Sequence, residues 1–473
     1  MDDKQLAKEL RAIVGERFVL TDPSELRPYE CDGNTIFKKL PRAVVLPGST
    51  EEVARVVRLL AGNGIPFIPR GAGTGLSSGV VPTDGEVMIG LARMTRLLEV
   101  DLRNHRAVVE AGHTNLKLTQ MVQDKGFYFA PDPSSQPACT IGGNVAENSG
   151  GAHCLKYGVT TNHVLGVALV TWDGEILHLG GKALDAPGYD LVGLMVGSEG
   201  TMGIVTEVTV RLLRKPQGFK TVMALFDSVS QASDAVSGVI AAGMIPGALE
   251  IMDKNAIIAV ERGPFRVGYP EGQEAVLLID VDGLTVGLNS QAEAILKICR
   301  EAGCTEVRIA RTPEERGRWW ANRKCAFGAA GKLAPNYAVQ DGVIPRSKLT
   351  EVLAQVYAIG RKYDLTIANV FHAGDGNLHP LICYDEKVPG IVEKVLKAGS
   401  EILAACVRAG GTISGEHGIG IEKMADMKEV FTPDDLAAQR AVHDVLDPRG
   451  LCNPGKIFPV VAGAQMARND AAL

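Results

Sequence analysis

Aromatic residues are scarce in this sequence, at 5% of 473 residues, and basic side chains do not outnumber acidic ones. The 49 Lys and Arg face 55 Asp and Glu, for a formal net charge of -6. A protein that tracks a nucleic-acid backbone and stacks bases needs the reverse of both, so nucleic acid is excluded as a partner. A small anionic substrate is not excluded, since it needs only one or two local cations. No uninterrupted apolar run reaches the roughly 18 residues of a membrane span. The opening MDDKQLAKELRAIV begins acidic and lacks an apolar core, so no secretory leader is expected. The nine cysteines (Cys31, Cys139, Cys154, Cys299, Cys304, Cys325, Cys383, Cys406 and Cys452) form no CxxC pair. Scattered thiols fit a reducing, cytoplasmic setting and argue against an iron–sulfur cluster held by this chain.

Glycine, by contrast, is abundant, with 54 copies, and it is clustered. The first cluster, PRGAGTGLSSG, follows a short apolar strand candidate at 65–68. Gly71, Gly73 and Gly75 leave consecutive amides unhindered, as an anion-binding nest requires, and Thr74, Ser77 and Ser78 would add hydroxyls. Two familiar phosphate loops do not fit. The Rossmann pattern needs glycine where Leu76 stands, and no lysine follows Gly75 or Gly79 as a P-loop demands. A bound nicotinamide dinucleotide is therefore not expected.

The second cluster is PDPSSQPACTIGGNVAENSGG at 131–151. Its prolines stiffen the approach, and Thr140 caps a predicted helix whose first amides, Ile141, Gly142 and Gly143, favour phosphate. Asn144 and Asn148 are spaced to share a helix face. The third cluster, GSEGTMGIVTEVTV, ends in a strand that alternates Ile204, Thr206, Val208 and Val210 with Val205, Glu207 and Thr209.

Beyond Lys215–Pro216 the pattern changes. Strand candidates at 219–226, 275–281, 304–309, 366–371 and 378–383 alternate with helix candidates at 228–242, 288–302, 313–330, 348–362 and 388–409. This reads as a helix-backed sheet. Three of the nine histidines, His372, His379 and His417, fall in HAGDGNLHP and SGEHG. Asp375–Gly376 marks a turn between two apolar strands, so a hairpin brings His372 and His379 together. With Glu416 they make a nitrogen and oxygen donor set suited to a borderline divalent ion. Zn²⁺ is the first choice, with Fe²⁺ or Mn²⁺ as other occupants; a metal-free polar turn is the alternative reading. His417 is left free to act as a general base. Arg323, in RWWANRKCAFGAA, is the candidate clamp for a substrate carboxylate, with Lys332 as a second candidate and a surface arginine as the plainer reading.

Six pieces in this order, PRGAGTGLSSG, PDPSSQPACTIGGNVAENSGG, GSEGTMGIVTEVTV, HAGDGNLHP, SGEHGIG and NPGKIFP, resemble the FAD-linked oxidases of the vanillyl-alcohol-oxidase superfamily. Within it the resemblance is to the group that holds the glycolate oxidase FAD subunit, D-lactate dehydrogenase and D-2-hydroxyglutarate dehydrogenase, and it spans about residues 20–460. It implies an α+β protein: a two-lobed, PCMH-type FAD-binding domain at 1–216, an α+β substrate cap on an antiparallel sheet at 217–419, and a segment at 420–473 returning to the FAD domain. Pro69, Arg70, Gly71, Ala72, Gly73, Thr74, Gly75 and Leu76 would hold the diphosphate of FAD. Pro131, Asp132, Ser135, Thr140, Gly142, Gly143 and Asn144 would line the cofactor, with Ile204 near its ring systems and Asn453 arriving from the chain end. FAD would be bound non-covalently, with Cys139, Cys154 and His153 the residues to watch on that point.

The activity so implied is oxidation of a small 2-hydroxy acid, glycolate or D-lactate, to the 2-oxo acid. His417 would take the hydroxyl proton, a metal on His372, His379 and Glu416 would acidify that hydroxyl, and hydride would pass to flavin N5. Some relatives carry a hydroxyl residue four positions after the clamp arginine. Phe327 stands there, which disfavours a dicarboxylate. The alternatives are a phenol oxidase or lipid-type transferase of the same superfamily, and a non-catalytic flavoprotein subunit. Electrons would leave to an acceptor outside the chain: a quinone, a cytochrome, an electron-transferring flavoprotein or an iron–sulfur subunit. A homodimer or hetero-oligomer, attached to a membrane only through a partner, is compatible with this.

Overall fold

A computed structural model describes residues 1–184 and 187–459. Residues 460–473 of the expected C-terminal segment lie outside the described residues. The chain builds three main sheets, and the α+β class expected from the sequence is observed.

The first lobe carries a four-stranded sheet ordered Val19–Leu20, Ala43–Val45, Val87–Gly90, Phe67–Arg70. The last three run parallel, and parallel neighbours need a crossover. The helix Thr50–Gly62 supplies it. Ser49 accepts from the Glu52 amide as N-cap, and Val53, Val56, Val57 and Leu60 are buried in the lobe's core.

The second lobe is a five-stranded antiparallel sheet ordered Leu97–Asp101, Arg106–Glu110, Ile204–Arg211, Val164–Val170, Ile176–Gly180. The alternation in Ile204–Arg211 is realised: Ile204, Thr206, Val208 and Val210 are buried. The helices Asn115–Val122 and Ile141–Glu147 contribute Leu118, Val122, Ile141 and Val145 to the core behind this sheet.

The third sheet is wholly antiparallel and has seven strands, ordered Glu306–Ile309, Gly218–Phe226, Ala275–Gly283, Ala248–Asp253, Thr366–His372, Asn377–Tyr384, Asn336–Val339. Both faces are covered. Helices Val229–Ala241, Leu288–Glu301, Leu349–Tyr363 and Ile391–Arg408 share one core with it. Lys254–Glu261, Pro313–Lys324 and Ala326–Ala329 contribute to a core on the other side. Burial on both sides explains why the strand Ala275–Gly283 opens on the continuous apolar run 275–279. Lys156 and Tyr157 of the second lobe both bond Asp282 of this sheet, tying cap to lobe.

After Gly420 the chain returns to the first lobe. Phe67 bridges Cys452, and the Asn453 side-chain amide donates to the carbonyls of Gly79 and Glu199. The return includes a helix, Pro433–Leu446, started by a Thr432/Asp435 capping box with Pro433 at its first position, and the stretch 447–459 after it is irregular backbone. Among the described residues no helix is long and apolar enough to cross a membrane.

Candidate active site

The glycine loop leaves the carboxyl end of the parallel strand Phe67–Arg70 and faces the start of helix Ile141–Glu147 across a cavity of about 410 Å³. The glycines are there for space. A Cβ on Gly71 would lie 2.5 Å from Thr140 Oγ1, and one on Gly142 would lie 2.6 Å from Ala111 Cβ. Thr140 Oγ1 accepts from the Gly143 amide, which fixes the facing turn.

Of the residues expected at the cofactor, Pro69, Arg70, Gly71, Ala72, Gly73, Thr74, Gly75, Leu76, Ser135, Thr140, Gly142, Gly143, Asn144 and Ile204 line this cavity. Pro131, Asp132 and Asn453 do not. The Pro131 carbonyl accepts from Asn115, Asp132 pairs with His153 at 2.9 Å and Lys324 at 3.3 Å, and Asn453 pins the returning chain. Ser77 and Ser78, expected to add hydroxyls, are fully buried behind the wall. Asn148 leaves the face of Asn144, because it caps the helix in the left-handed region.

Acidic groups crowd one end of the cavity, where Asp32, Glu147 and Glu199 stand in the wall. Burial pushes Asp32 up to about 7 and Glu147 well above the usual carboxylate range, with neighbouring Glu199 adding to the latter. Burial raises Asp132 too, but His153 and Lys324 overcome it and hold it at about 2. His153 is in turn raised by Asp132 against its own burial.

The hairpin Thr366–His372/Asn377–Tyr384 pairs His372 with Asn377 and Val370 with His379. Residues two apart on a strand share a face, so His372 and His379 are diagonal neighbours, with ring centroids 5.1 Å apart. Glu416 arrives from a separate segment. Its Oε1 lies 3.2 Å from His379 Nε2 and 3.5 Å from His372 Nε2. One ligand atom from each of the three lies within 4.8 Å of the others.

The donor set fits a divalent cation. Among the described residues His379 Nε2 is buried without a hydrogen-bond partner, so its lone pair is unspent. His372 Nδ1 faces both oxygens of Glu250, at 2.8 and 2.9 Å, which leaves Nε2 towards Glu416. Burial opposes charge on Glu416, yet the two imidazoles outweigh it and hold the carboxyl well below its ordinary range.

His417 stacks on His379, with centroids 4.8 Å apart and planes 14° apart. Its Nδ1 has no hydrogen-bond partner among the described residues. Burial pushes its imidazole down to about 4, against the pull of Asp341 and with the help of His379. Glu416 and His417 also line the glycine-walled cavity, as do Lys324, Phe327 and Tyr337 of the cap. Cavity and histidine cluster therefore share one wall.

Arg323 is not in that wall. Its guanidinium is buried, with Nη2 2.5 Å from Glu250 Oε2. The expected carboxylate clamp is turned inward because a fully buried carboxylate claims its charge, and the next residue, Lys324, faces the cavity instead. Lys332 does not line the cavity either. Three residues escaped the sequence reading. Glu250 gave a faint signal, as a charge inside the apolar strand ALEIMD. The local signal at Asp341 is the Asp–Gly step of QDGVIP, which marks a turn and nothing more. Lys423, fully buried beside Asp341, gave none.

Comparison with known proteins bears on the two domains that carry these residues. Residues 41–180 match the model of an FAD binding domain, and residues 215–457 match the C-terminal domain of FAD linked oxidases. The chain is 45% identical over 461 residues to the glycolate oxidase subunit GlcD of Escherichia coli K12, covering 98% of this chain and 92% of that one. It is 35% identical over 462 residues to a D-lactate dehydrogenase of Anaerostipes hadrus, covering 96% and 97%. The solved structure of a p-cresol methylhydroxylase superposes with a TM-score of 0.81 at 17% identity, covering 96% of this chain and 97% of that one, which shows a shared fold.

Proposed function

The chain belongs to the FAD-linked oxidases and is an FAD-dependent oxidoreductase, and from that premise we propose that it dehydrogenates a small 2-hydroxy acid, glycolate or D-lactate. The observation that carries this reading is the shared wall: adjacent residues Glu416 and His417 face both the FAD cavity and the histidine cluster. The names of the two relatives supply the substrate class. In this reading residues 1–216 hold FAD, 217–419 cap the substrate, and the segment from 420 closes back on the first lobe.

The glycine loop 69–76 and the Thr140–Asn144 turn would hold FAD, which when bound supplies the two-electron acceptor for the Cα hydrogen as hydride. His372, His379 and Glu416 would hold a divalent cation, Zn²⁺ before Fe²⁺ or Mn²⁺, which when bound supplies a Lewis acid for an α-hydroxyl and its carboxylate. Burial holds the His417 imidazole down at about 4, and its Nδ1 has no hydrogen-bond partner among the described residues, so it is the group to accept the hydroxyl proton. Lys324, which lines the cavity and also pairs with Asp132 at 3.3 Å, is the cap-side cation nearest to hand for the substrate carboxylate. Phe327, whose ring lies 5.6 Å from that of His379, takes space beside the cluster and favours a short substrate. Reoxidation falls to an acceptor outside this chain, and the word "subunit" in the relative's name supports a partner polypeptide in that role.

The test is anaerobic mixing of FAD-loaded protein with glycolate, D-lactate, L-lactate, D-2-hydroxyglutarate and simple phenols, following the flavin absorbance. Bleaching by glycolate or D-lactate is expected. Bleaching by phenols alone, or by none of the panel, would overturn the reading.

A further inference from the structure

The histidine cluster contains two overlapping donor sets, His372/His379/Glu416 and Asp341/His379/His417, and in each the ligand atoms lie within 4.8 Å of one another. We propose that only the first takes an ion, because Lys423 is the built-in cation of the second, and that Asp341 is the positioning residue which sets Glu416 and His417 in place. This inference rests on the metal-assisted reading above.

Asp341 follows the strand Asn336–Val339 and is completely buried. Its Oδ2 accepts from Ser414 Oγ at 2.7 Å and from the amides of Gly415, Glu416 and His417 at 3.0, 3.1 and 2.8 Å. Three consecutive amides aimed at one carboxylate hold the 414–418 turn in a single shape. Lys423 Nζ closes the same turn from its other end, lying 3.2 Å from Asp341 Oδ2 and donating to the Gly418 carbonyl at 2.9 Å. With the turn so fixed, Glu416 reaches the two hairpin histidines and His417 lies back on the ring of His379.

The same contacts decide between the donor sets. A cation on Asp341 would sit against an ammonium bonded to the same carboxylate, and at short range in a buried site like-charge repulsion is large. Asp341 Oδ2 is already surrounded by donors. His379 Nδ1, the nitrogen nearer Asp341 Oδ1 at 3.8 Å, is engaged with the Gln340 carbonyl at 3.4 Å, so it carries the ring hydrogen. His379 Nε2 has no such partner and faces Glu416. The protonation pattern and the ammonium thus both favour the Glu416 set.

The test uses the FAD-loaded full chain, with Zn²⁺ as the probe, metal content per chain, and affinity from competition with a chelator. Wild type is expected to hold one ion. Asp341→Asn keeps the size and one acceptor oxygen. It should stay folded and yellow yet bind Zn²⁺ about 10–100-fold more weakly, as loss of a supporting residue behind a metal ligand does. Flavin reduction should slow with it. Lys423→Met opens one end of the turn but leaves the Nδ1 hydrogen of His379 and the amides on Asp341 Oδ2 in place, so it should still hold one ion, bound more weakly than in wild type. Two ions in wild type, or wild-type Zn²⁺ affinity in Asp341→Asn, would overturn the inference while leaving the proposed function standing. Wild-type Zn²⁺ affinity in Lys423→Met would overturn the role of Lys423. A wild-type chain that takes up no Zn²⁺, Fe²⁺ or Mn²⁺ would overturn both this inference and the metal-assisted reading beneath it.

Discussion

Replacing Glu250 by glutamine separates the support of the site from the site itself. The Glu250 carboxylate is fully buried, accepts from His372 Nδ1 on one side and forms an ion pair with Arg323 Nη2 on the other. Glutamine keeps the volume but offers one acceptor oxygen for two donors, and its amide nitrogen turns a donor towards the group left over. Arg323, itself buried, then has no counter-ion; breaking one partner of a buried pair costs about 3–5 kcal/mol. His372 also loses the acceptor that keeps its hydrogen on Nδ1 and its Nε2 free, a loss that weakens metal binding about 10–100-fold. That range corresponds to about 1.4–2.8 kcal/mol. The two effects can be told apart with the double variant Glu250→Gln/Arg323→Met, which removes both charges. It should regain most of the stability, because no charge is left unpaired, and little of the metal affinity, because His372 still lacks its carboxylate. The assays are urea unfolding followed by far-UV circular dichroism and Zn²⁺ competition against a chelator. If Glu250→Gln unfolds at the wild-type midpoint and binds Zn²⁺ as wild type does, the Arg323–Glu250–His372 chain is not what supports the cluster.

Three further outcomes follow from the geometry. His417→Asn should keep FAD and metal but slow anaerobic flavin reduction by about 10²-fold or more, with kcat changing more than KM; loss of its metal as complete as in His379→Ala would show that His417 is a ligand and not a base. Gly71→Val drives a branched side chain against Thr140 Oγ1, where even a Cβ would lie at 2.5 Å. The purified variant should be colourless at FAD concentrations that turn wild type yellow, and full flavin content would exclude the loop as the cofactor cradle. The Asp132–His153 pair gives a pH signature. Asp132 is held at about 2 and His153 is raised. The carboxylate's contribution is present above its unfolded pKa of about 3.9 and fades as pH falls towards 2, while the imidazolium's is complete below about 6.5 and fades as pH rises through its folded pKa. The stability difference between wild type and His153→Gln should therefore peak between about pH 4 and 6.5; a difference still growing at alkaline pH would contradict the pairing.

What the sequence by itself determined is what depends on neighbours along the chain. Glycine spacing at 71, 73 and 75 announced backbone that a ligand approaches, and Thr140 announced the turn facing it. The Asp375–Gly376 signal between apolar strands determined the hairpin, and strand periodicity then put His372 and His379 on one face. Most strands and helices of the cap were legible for the same reason. Those that escaped were ambiguous locally. Ala248–Asp253 carries a buried glutamate, and Pro433–Leu446 is a polar helix with one residue, His443, buried. Tertiary structure decided everything that needed a partner from elsewhere. An α-helix turns about 100° per residue, so whether Arg323 or Lys324 faces the cavity depends on which side of Pro313–Lys324 packs inward. Glu250, distant in sequence, settles it by holding Arg323 inside. Asp341 and Lys423 lie 82 residues apart and meet only because the strand after Asn336 and the turn at 414–418 close on each other. No local pattern encodes such a pair, since its stability comes from burial and charge that exist only once the chain is folded.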